Sequence, residues 1–144
     1  DLLRSVGDLF RQQSTQNDVL GLDLPPDPVP VHIDRSHLQR ILNNLLQNAW
    51  QSIPTGRQPR IRMWLTTDEE TARIWVQDNG EGIPHGLRSR VFEPKFTTKN
   101  SGMGLGLAMC KGMVNQMNGR IWFETEEGVG TTFFVEVPRV NPKE

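Results

Sequence analysis

The chain has 144 residues, enough for one domain with a single core that buries about 70% of the surface its unfolded chain would expose. Sixteen Lys and Arg against seventeen Asp and Glu leave a net charge of -1, which excludes a general attraction for nucleic acid or an anionic membrane, so any polyanion must be held locally. No apolar stretch approaches the ~20 residues needed to cross a bilayer, and "DLLRSVGDLF" lacks a signal-peptide layout.

Residues 1–13 carry Leu2, Leu3, Val6, Leu9 and Phe10 at helical spacing and predict a short amphipathic helix able to join a preceding domain. "DVLGLDLPPDPVPVHID" predicts a strand over 19–24, a proline-rich loop and a second strand over 31–33, at an edge rather than in the middle of a sheet. Asp34 or Ser36 caps the next helix, whose apolar face is Leu38, Ile41, Leu42, Leu45, Leu46 and Ala49 and which stops before Pro54. "RIRMWLTT" and "TARIWVQD" alternate as two strands joined by the charged turn "DEE". From 79 to 103 there is no long periodic segment, a loop length that compact domains keep mainly for function. Helix returns over about 105–117 with Gly119 as its stop, and "RIWFETEEG" and "TTFFVEVP" close the chain as a hairpin around Gly128 and Gly130. Cys110, the one cysteine, excludes an internal disulfide or a cysteine-based zinc site; its apolar run reads as a small buried hydrophobe and suits a reducing compartment. This order predicts an α+β fold, helices layered on a mixed sheet, and counts against a doubly wound dinucleotide fold.

Three segments carry chemistry. "DNGEGIP" places Asp78 at a strand end, followed by Gly80 and Gly82, where backbone approaches something a Cβ would exclude; the alternative is an Asn-Gly hairpin turn. "GMGLGLA" sets Gly102, Gly104 and Gly106 at a helix mouth, whose free N–H groups and dipole suit phosphate, with a flexible hinge as the alternative. Neither the dinucleotide fingerprint nor the phosphate-loop motif fits, because Leu107 occupies the sixth position and no Gly-Lys-Ser/Thr follows. Asn44 and Asn48 lie four apart on one helix face, either as a buried amide network or as a carboxamide completing the shell of a phosphate-bound magnesium ion. His32, His37 and His85 share no metal-ligand spacing and read as surface or structural residues.

Taken together and in order, "NNLLQNAWQSI", "DNGEGIP", "VFEPKFTTK" and "SGMGLGLAMCKGMV" resemble the N, G1, F and G2 boxes of the ATP-binding catalytic domain of sensor histidine kinases. The resemblance runs from about residue 20 to 138, includes "GVGTTFFVEVP", and in "NAWQSIP" and "TTKNSGMGLGLA" is most similar to the nitrogen-regulation class. It implies a Bergerat-type fold: two layers, a mixed sheet of about five strands, and three helices on one face. Residues 1–14 are then a connecting helix from an upstream dimerisation and phosphoacceptor domain, and 15–144 the catalytic domain.

The resemblance assigns Asp78 to the adenine amino group, with Gly80 and Gly82 closing against the base, and Asn48 to magnesium, with Asn44 lining the phosphate region. A carboxylate accepts from N6 and rejects a carbonyl at that place. Phe92 and Phe96 match the aromatic box that packs a lid over about 93–102, expected to be ordered by phosphate. Lys99 meets phosphate, and Gly102, Gly104 and Gly106 join lid to helix. Ile83, Thr98, Met103, Leu105, Leu107 and Thr131 complete the implied ATP contacts, and Asn48 with Lys99 the catalytic pair. Two positions depart from the family: Gln51 stands where many members carry a basic residue, and Lys95 where they carry an aromatic or asparagine.

Related gyrase-type and chaperone-type ATPases place a water-activating glutamate where this chain has Asn44, and a carboxamide is no general base at neutral pH. The expected reaction is therefore transfer of the γ-phosphoryl group of Mg-ATP to a histidine, by positioning and charge neutralisation. None of the three histidines is followed by an acidic residue in the manner of the family's acceptor motif, so the acceptor belongs to a separate dimerisation domain. The implied parent is a homodimer that relays phosphate to the receiver domain of a response regulator. The expected location is cytoplasmic, with a membrane anchor possible elsewhere in the parent. A nucleotide-sensing module that never transfers, and an anti-sigma-type serine kinase, are the alternatives.

Overall fold

Asp34 starts the helix that organises the domain. Its carboxylate accepts from the backbone N–H of Ser36 (2.9 Å) and His37 (3.3 Å) and from the Ser36 hydroxyl (2.7 Å), capping α2 (Arg35–Ser52). The Ser36 hydroxyl bond, with the His37 N–H behind it, holds this carboxyl below the usual carboxylate range. In this computed structural model the structure describes residues 2–13, 20–24, 31, 34–93 and 106–139.

Around α2 stand α1 (Leu2–Gln13), α3 (Gly106–Gln116) and a sheet of β1 (Leu20–Asp23), β2 (Ile61–Thr67), β3 (Thr71–Asp78), β4 (Arg120–Glu126) and β5 (Gly130–Pro138). The strand order is β1-β2-β3-β5-β4. β1 runs parallel to β2, and the other pairs are antiparallel. This is the expected α+β arrangement with a mixed five-stranded sheet. Period-two alternation sends Leu20, Ile61, Met63, Ala72, Ile74, Val76, Phe133, Val135 and Val137 to one face. They share one core with Leu3, Val6 and Phe10 of α1, the apolar stripe of α2, and Cys110 and Val114 of α3. α1 is thus packed into the domain, with Phe10 edge-on to Trp50. Burying a single Leu or Val of this kind is worth about 1.5–3 kcal/mol.

The opposite face carries a cross-strand aromatic row. Trp64 stacks on Trp75, Trp75 meets Phe134 edge-on, and Phe134 stacks on Trp122, following the register Trp64↔Trp75↔Phe134↔Trp122. Arg62, Arg73 and Arg120 lie over these rings, and Arg73 also pairs with Glu136 at 2.7 Å. The row closes its own apolar surface with guanidinium groups.

One sequence expectation is corrected, and one falls largely outside the described residues. Of the strand expected over 31–33 only Val31 is described, and it forms a bridge to Arg139. The residue that ends α3 in the left-handed conformation is Asn118 (φ 58°), not Gly119. Asn118 N–H donates to Asn115 O (3.1 Å) and Gly119 N–H to Val114 O (3.0 Å), which completes the cap. Gly119 is needed because a Cβ there would strike the carbonyl oxygen of Glu136 in β5.

Candidate functional site

The core-facing side of β3 reads Ala72, Ile74, Val76 and then Asp78, so an apolar row ends in a carboxylate that is 5% exposed. A buried carboxylate is costly unless hydrogen-bonded. Oδ1 of Asp78 accepts from Gly80 N–H at 2.8 Å and from Thr131 N–H at 3.2 Å. Thr131, also buried, places its Oγ1 2.8 Å from that of Thr125, and Thr125 Oγ1 accepts from Ile83 N–H at 2.9 Å. One end of the core-facing sheet surface is therefore a polar row of Asp78, Thr131 and Thr125.

Beyond Asp78 the chain does not fold back as a hairpin; it continues as a loop into a 3₁₀ helix, His85–Arg90. The loop is wedged between two pieces of backbone. A Cβ on Gly80 would run into Ser52 at the end of α2, and one on Gly82 (φ +75°) into the carbonyl of Glu126 at the end of β4. Glu81 N–H donates to Ser52 O at 3.0 Å, and Glu81 O accepts from Gly128 N–H at 2.7 Å. These glycines permit close approaches to the protein's own chain, a packing reason that stands beside the ligand approach expected of them.

Asn44, Asn48 and Ser52 lie four apart along one line of α2. Asn44 Nδ2 donates to Arg40 O at 3.0 Å, and a Cβ built on Gly106, the first residue of α3, would lie 2.8 Å from Asn44 Oδ1. At the other end Ser52 touches Gly80. Asn48, half-buried, sits between them. The line thus joins the mouth of α3 to the Asp78 loop over roughly 12 Å, eight helical rises.

Among the described residues no group of three or more His, Cys, Asp or Glu side chains could hold a metal ion. A carboxamide such as that of Asn48 can complete the shell of a cation held chiefly by phosphate oxygens. Ile83 and Leu107 are half-buried against the core. Phe92 packs against Phe123 and Phe133, with Lys111 Nζ 5.5 Å from its ring centre. Lys95, Phe96, Thr98, Lys99, Gly102, Met103, Gly104 and Leu105 lie outside the described residues. No helix among the described residues is long and apolar enough to cross a membrane.

Sequence reasoning missed four contributors. Thr125 stands opposite Thr131 in the β4–β5 register, a placement that follows from core-facing parity once the hairpin is known. Gly130 (φ +151°) passes so close to Asp78 that a Cβ would strike the Asp78 carbonyl. The Asn79 side chain pairs with the 58–60 segment, donating to Gln58 O (2.9 Å) and accepting from Arg60 N–H (2.8 Å). Arg57 donates to the carbonyls of Asn79 and Gly80. The last two have no local sequence signal, because only the tertiary fold brings residues 57–60 to the loop.

Residues 33–141 match the family described as histidine kinase-, DNA gyrase B- and HSP90-like ATPase. The chain is 40% identical over 114 residues to the signal transduction histidine-protein kinase AtoS of Escherichia coli (strain K12), covering 79% of this chain and 18% of that protein. It is 32% identical to sporulation kinase E of Bacillus subtilis (strain 168), covering 99% of this chain and 20% of that protein. Among solved structures, the nucleotide-free catalytic domain of histidine kinase ThkA superposes with a TM-score of 0.81 at 30% identity, covering 96% of this chain and 92% of that one. Full-length ShkA in complex with AMPPNP gives 0.79 at 27% identity, covering 96% and 29%. The chain thus spans about a fifth of the length of these two curated relatives.

Proposed function

The chain belongs to the family of histidine kinase-, DNA gyrase B- and HSP90-like ATPases, and within it we propose that this domain binds Mg-ATP and transfers the γ-phosphoryl group to a histidine on a separate dimerisation domain of the same protein. The observation that carries the reading is the line Asn44–Asn48–Ser52 on α2, running from the mouth of α3 to the loop that fixes Asp78. Asp78 accepts the adenine amino group, with Ile83 and Thr131 beside it. The α3 mouth, from Gly106 and Leu107, faces the phosphates, with Lys99 and the glycines at 102 and 104 supplied by the segment before it. The AMPPNP complex of ShkA and the kinase names of the curated relatives support nucleotide binding and phosphoryl transfer.

Asn48 is the residue proposed to hold magnesium. Bound there, the ion supplies neutralisation of phosphate charge; the chain's own part is to present the carboxamide oxygen on a rigid helix and to keep the base end apart from the phosphate end. Asn44 supports transfer over hydrolysis. Its amide is engaged with Arg40 O and can take no proton from water at neutral pH, which favours an attacking group that needs no deprotonation, such as a neutral imidazole nitrogen. The receiver domain of a response regulator is the proposed destination of the phosphate, the parent a homodimer, and the cytoplasm its compartment. Calorimetry with ATP and GTP in the presence of magnesium tests the binding half: ATP should bind and GTP should not, and equal affinities would remove Asp78 from base recognition.

A further inference from the structure

The segment between α2 and β2 makes a contact with the Asp78 loop that base recognition alone does not explain. Pro54–Arg57 is a turn closed by Arg57 N–H to Pro54 O at 3.1 Å, with Gly56 at φ +95° in the position that needs positive φ. It turns the Arg57 side chain onto the loop, where Nη1 donates to Asn79 O at 2.7 Å and to Gly80 O at 2.8 Å. The Asn79–Gly80 peptide is then held at both ends. Its oxygen accepts from a full positive charge, and its N–H donates to Asp78 Oδ1 at 2.8 Å. Because a peptide is one conjugated unit, a charge-assisted bond at the oxygen strengthens the N–H as a donor. A guanidinium and a carboxylate are thereby linked through a single peptide group.

We propose that Arg57 is a positioning residue for base recognition, acting through the Asn79–Gly80 peptide to fix the Asp78 carboxylate in the orientation that accepts an exocyclic amino group. This rests on the reading that Asp78 contacts adenine. Three neighbours make the peptide a rigid transmitter. Asn79 is bracketed by Gln58 O and Arg60 N–H, Glu81 N–H is tied to Ser52 O, and Gly80 has no space for a Cβ against Ser52. The neighbours hold the loop by neutral hydrogen bonds, whereas Arg57 adds charge directed at the nearer of the two peptides whose N–H groups reach Asp78 Oδ1, that of Gly80 at 2.8 Å rather than that of Thr131 at 3.2 Å. Removing it leaves the loop in place but weakens the orientation of the carboxylate.

The test is calorimetry of the chain with two ligands, ATP and purine riboside 5′-triphosphate, which lacks the amino group, on wild type, Arg57→Met, Arg57→Lys, Asp78→Asn and the Arg57→Met/Asp78→Asn double variant. Arg57→Met should weaken ATP about five- to tenfold, the net value of one hydrogen bond, while the purine riboside ligand stays within about twofold. Arg57→Lys, which keeps the charge, should recover part of the ATP loss, and Arg57→Met should add nothing in the Asp78→Asn background. Equal loss for both ligands would make Arg57 a general stabiliser and overturn the proposal. So would an unchanged ATP affinity in Arg57→Met when Asp78→Asn does weaken ATP. If Asp78→Asn itself leaves ATP binding unchanged, the adenine reading fails first and the proposal with it. Should Arg57→Met fail to fold, Arg57→Lys decides: a loss confined to ATP supports the proposal, and an equal loss or none overturns it.

Discussion

Thr131 N–H donates to Asp78 Oδ1 across 3.2 Å, so the carboxylate at the end of β3 is oriented from the neighbouring strand β5 as well as from its own loop. An asparagine at 78 can still accept both backbone N–H groups through its carboxamide oxygen. Asp78→Asn should therefore fold normally, yet its amide turns a donor toward the adenine amino group. ATP affinity should fall by roughly 1.5–3 kcal/mol, the range for a hydrogen bond to a charged group. Calorimetry beside a thermal melt checks both halves. A lower melting temperature together with unchanged affinity would give Asp78 a purely structural role.

The glycines divide by what surrounds them. Gly80→Ala and Gly130→Ala each push a methyl into main chain, that of Ser52 and of Asp78, and should cost roughly 1–3 kcal/mol. Gly112 on α3 has nothing within 4 Å of an added Cβ, so Gly112→Ala should stabilise by about 0.5–1 kcal/mol through helix propensity. Urea unfolding of the three variants reads the opposite signs directly.

Cys110 is fully buried near Ile41 O, and burial pushes its thiol up to about 12 from an ordinary 9.0. The folded state favours the protonated thiol. Its contribution is present in full below the ordinary value and is lost progressively as pH rises from there toward about 12. The folded chain holds far less thiolate at pH 8 than an unfolded cysteine would, so alkylation should proceed only through unfolding and accelerate sharply in denaturant. Rapid labelling of the native chain would contradict the burial.

Asn48→Ala removes the oxygen proposed for magnesium while leaving the Asp78 end untouched. Phosphoryl transfer should drop by at least about a hundredfold, the order seen when one precisely placed charge-stabilising group is lost. Discrimination of ATP from GTP should persist. If the variant loses base discrimination as severely as transfer, Asn48 contributes to folding of the site and not to the phosphate end.

The helical and strand periodicities made the fold legible: the stripe from Leu38 to Ala49 and the alternation in "RIRMWLTT" and "TARIWVQD" appear as α2, β2 and β3 within a residue or two. The place of Asp78 at the end of β3 was legible because it is local information, whereas its proposed role at the base comes from the family resemblance. The reason for Gly80 and Gly82 was not, because Ser52 and Glu126 reach them only in the folded chain. Arg57 escaped for the same cause: an arginine in a short Pro-Thr-Gly-Arg turn reads as a solvated loop until the turn is seen to face Asn79. The expected lid lies outside the described residues from 94 onward.

Phosphate labelling of a partner domain separates transfer to histidine from its alternatives. The chain is incubated with γ-labelled ATP, magnesium and the separately produced dimerisation domain of its own parent, and the labelled product is divided between acid and alkali. Because Asn44 cannot activate water and none of His32, His37 and His85 is followed by an acidic residue, the chain alone should hydrolyse ATP slowly and remain unlabelled. With the dimerisation domain present, label should appear on that domain in a form lost in acid and stable in alkali, as phosphohistidine is. Acid-stable label on a serine, or rapid release of inorganic phosphate by the chain alone, would contradict the account.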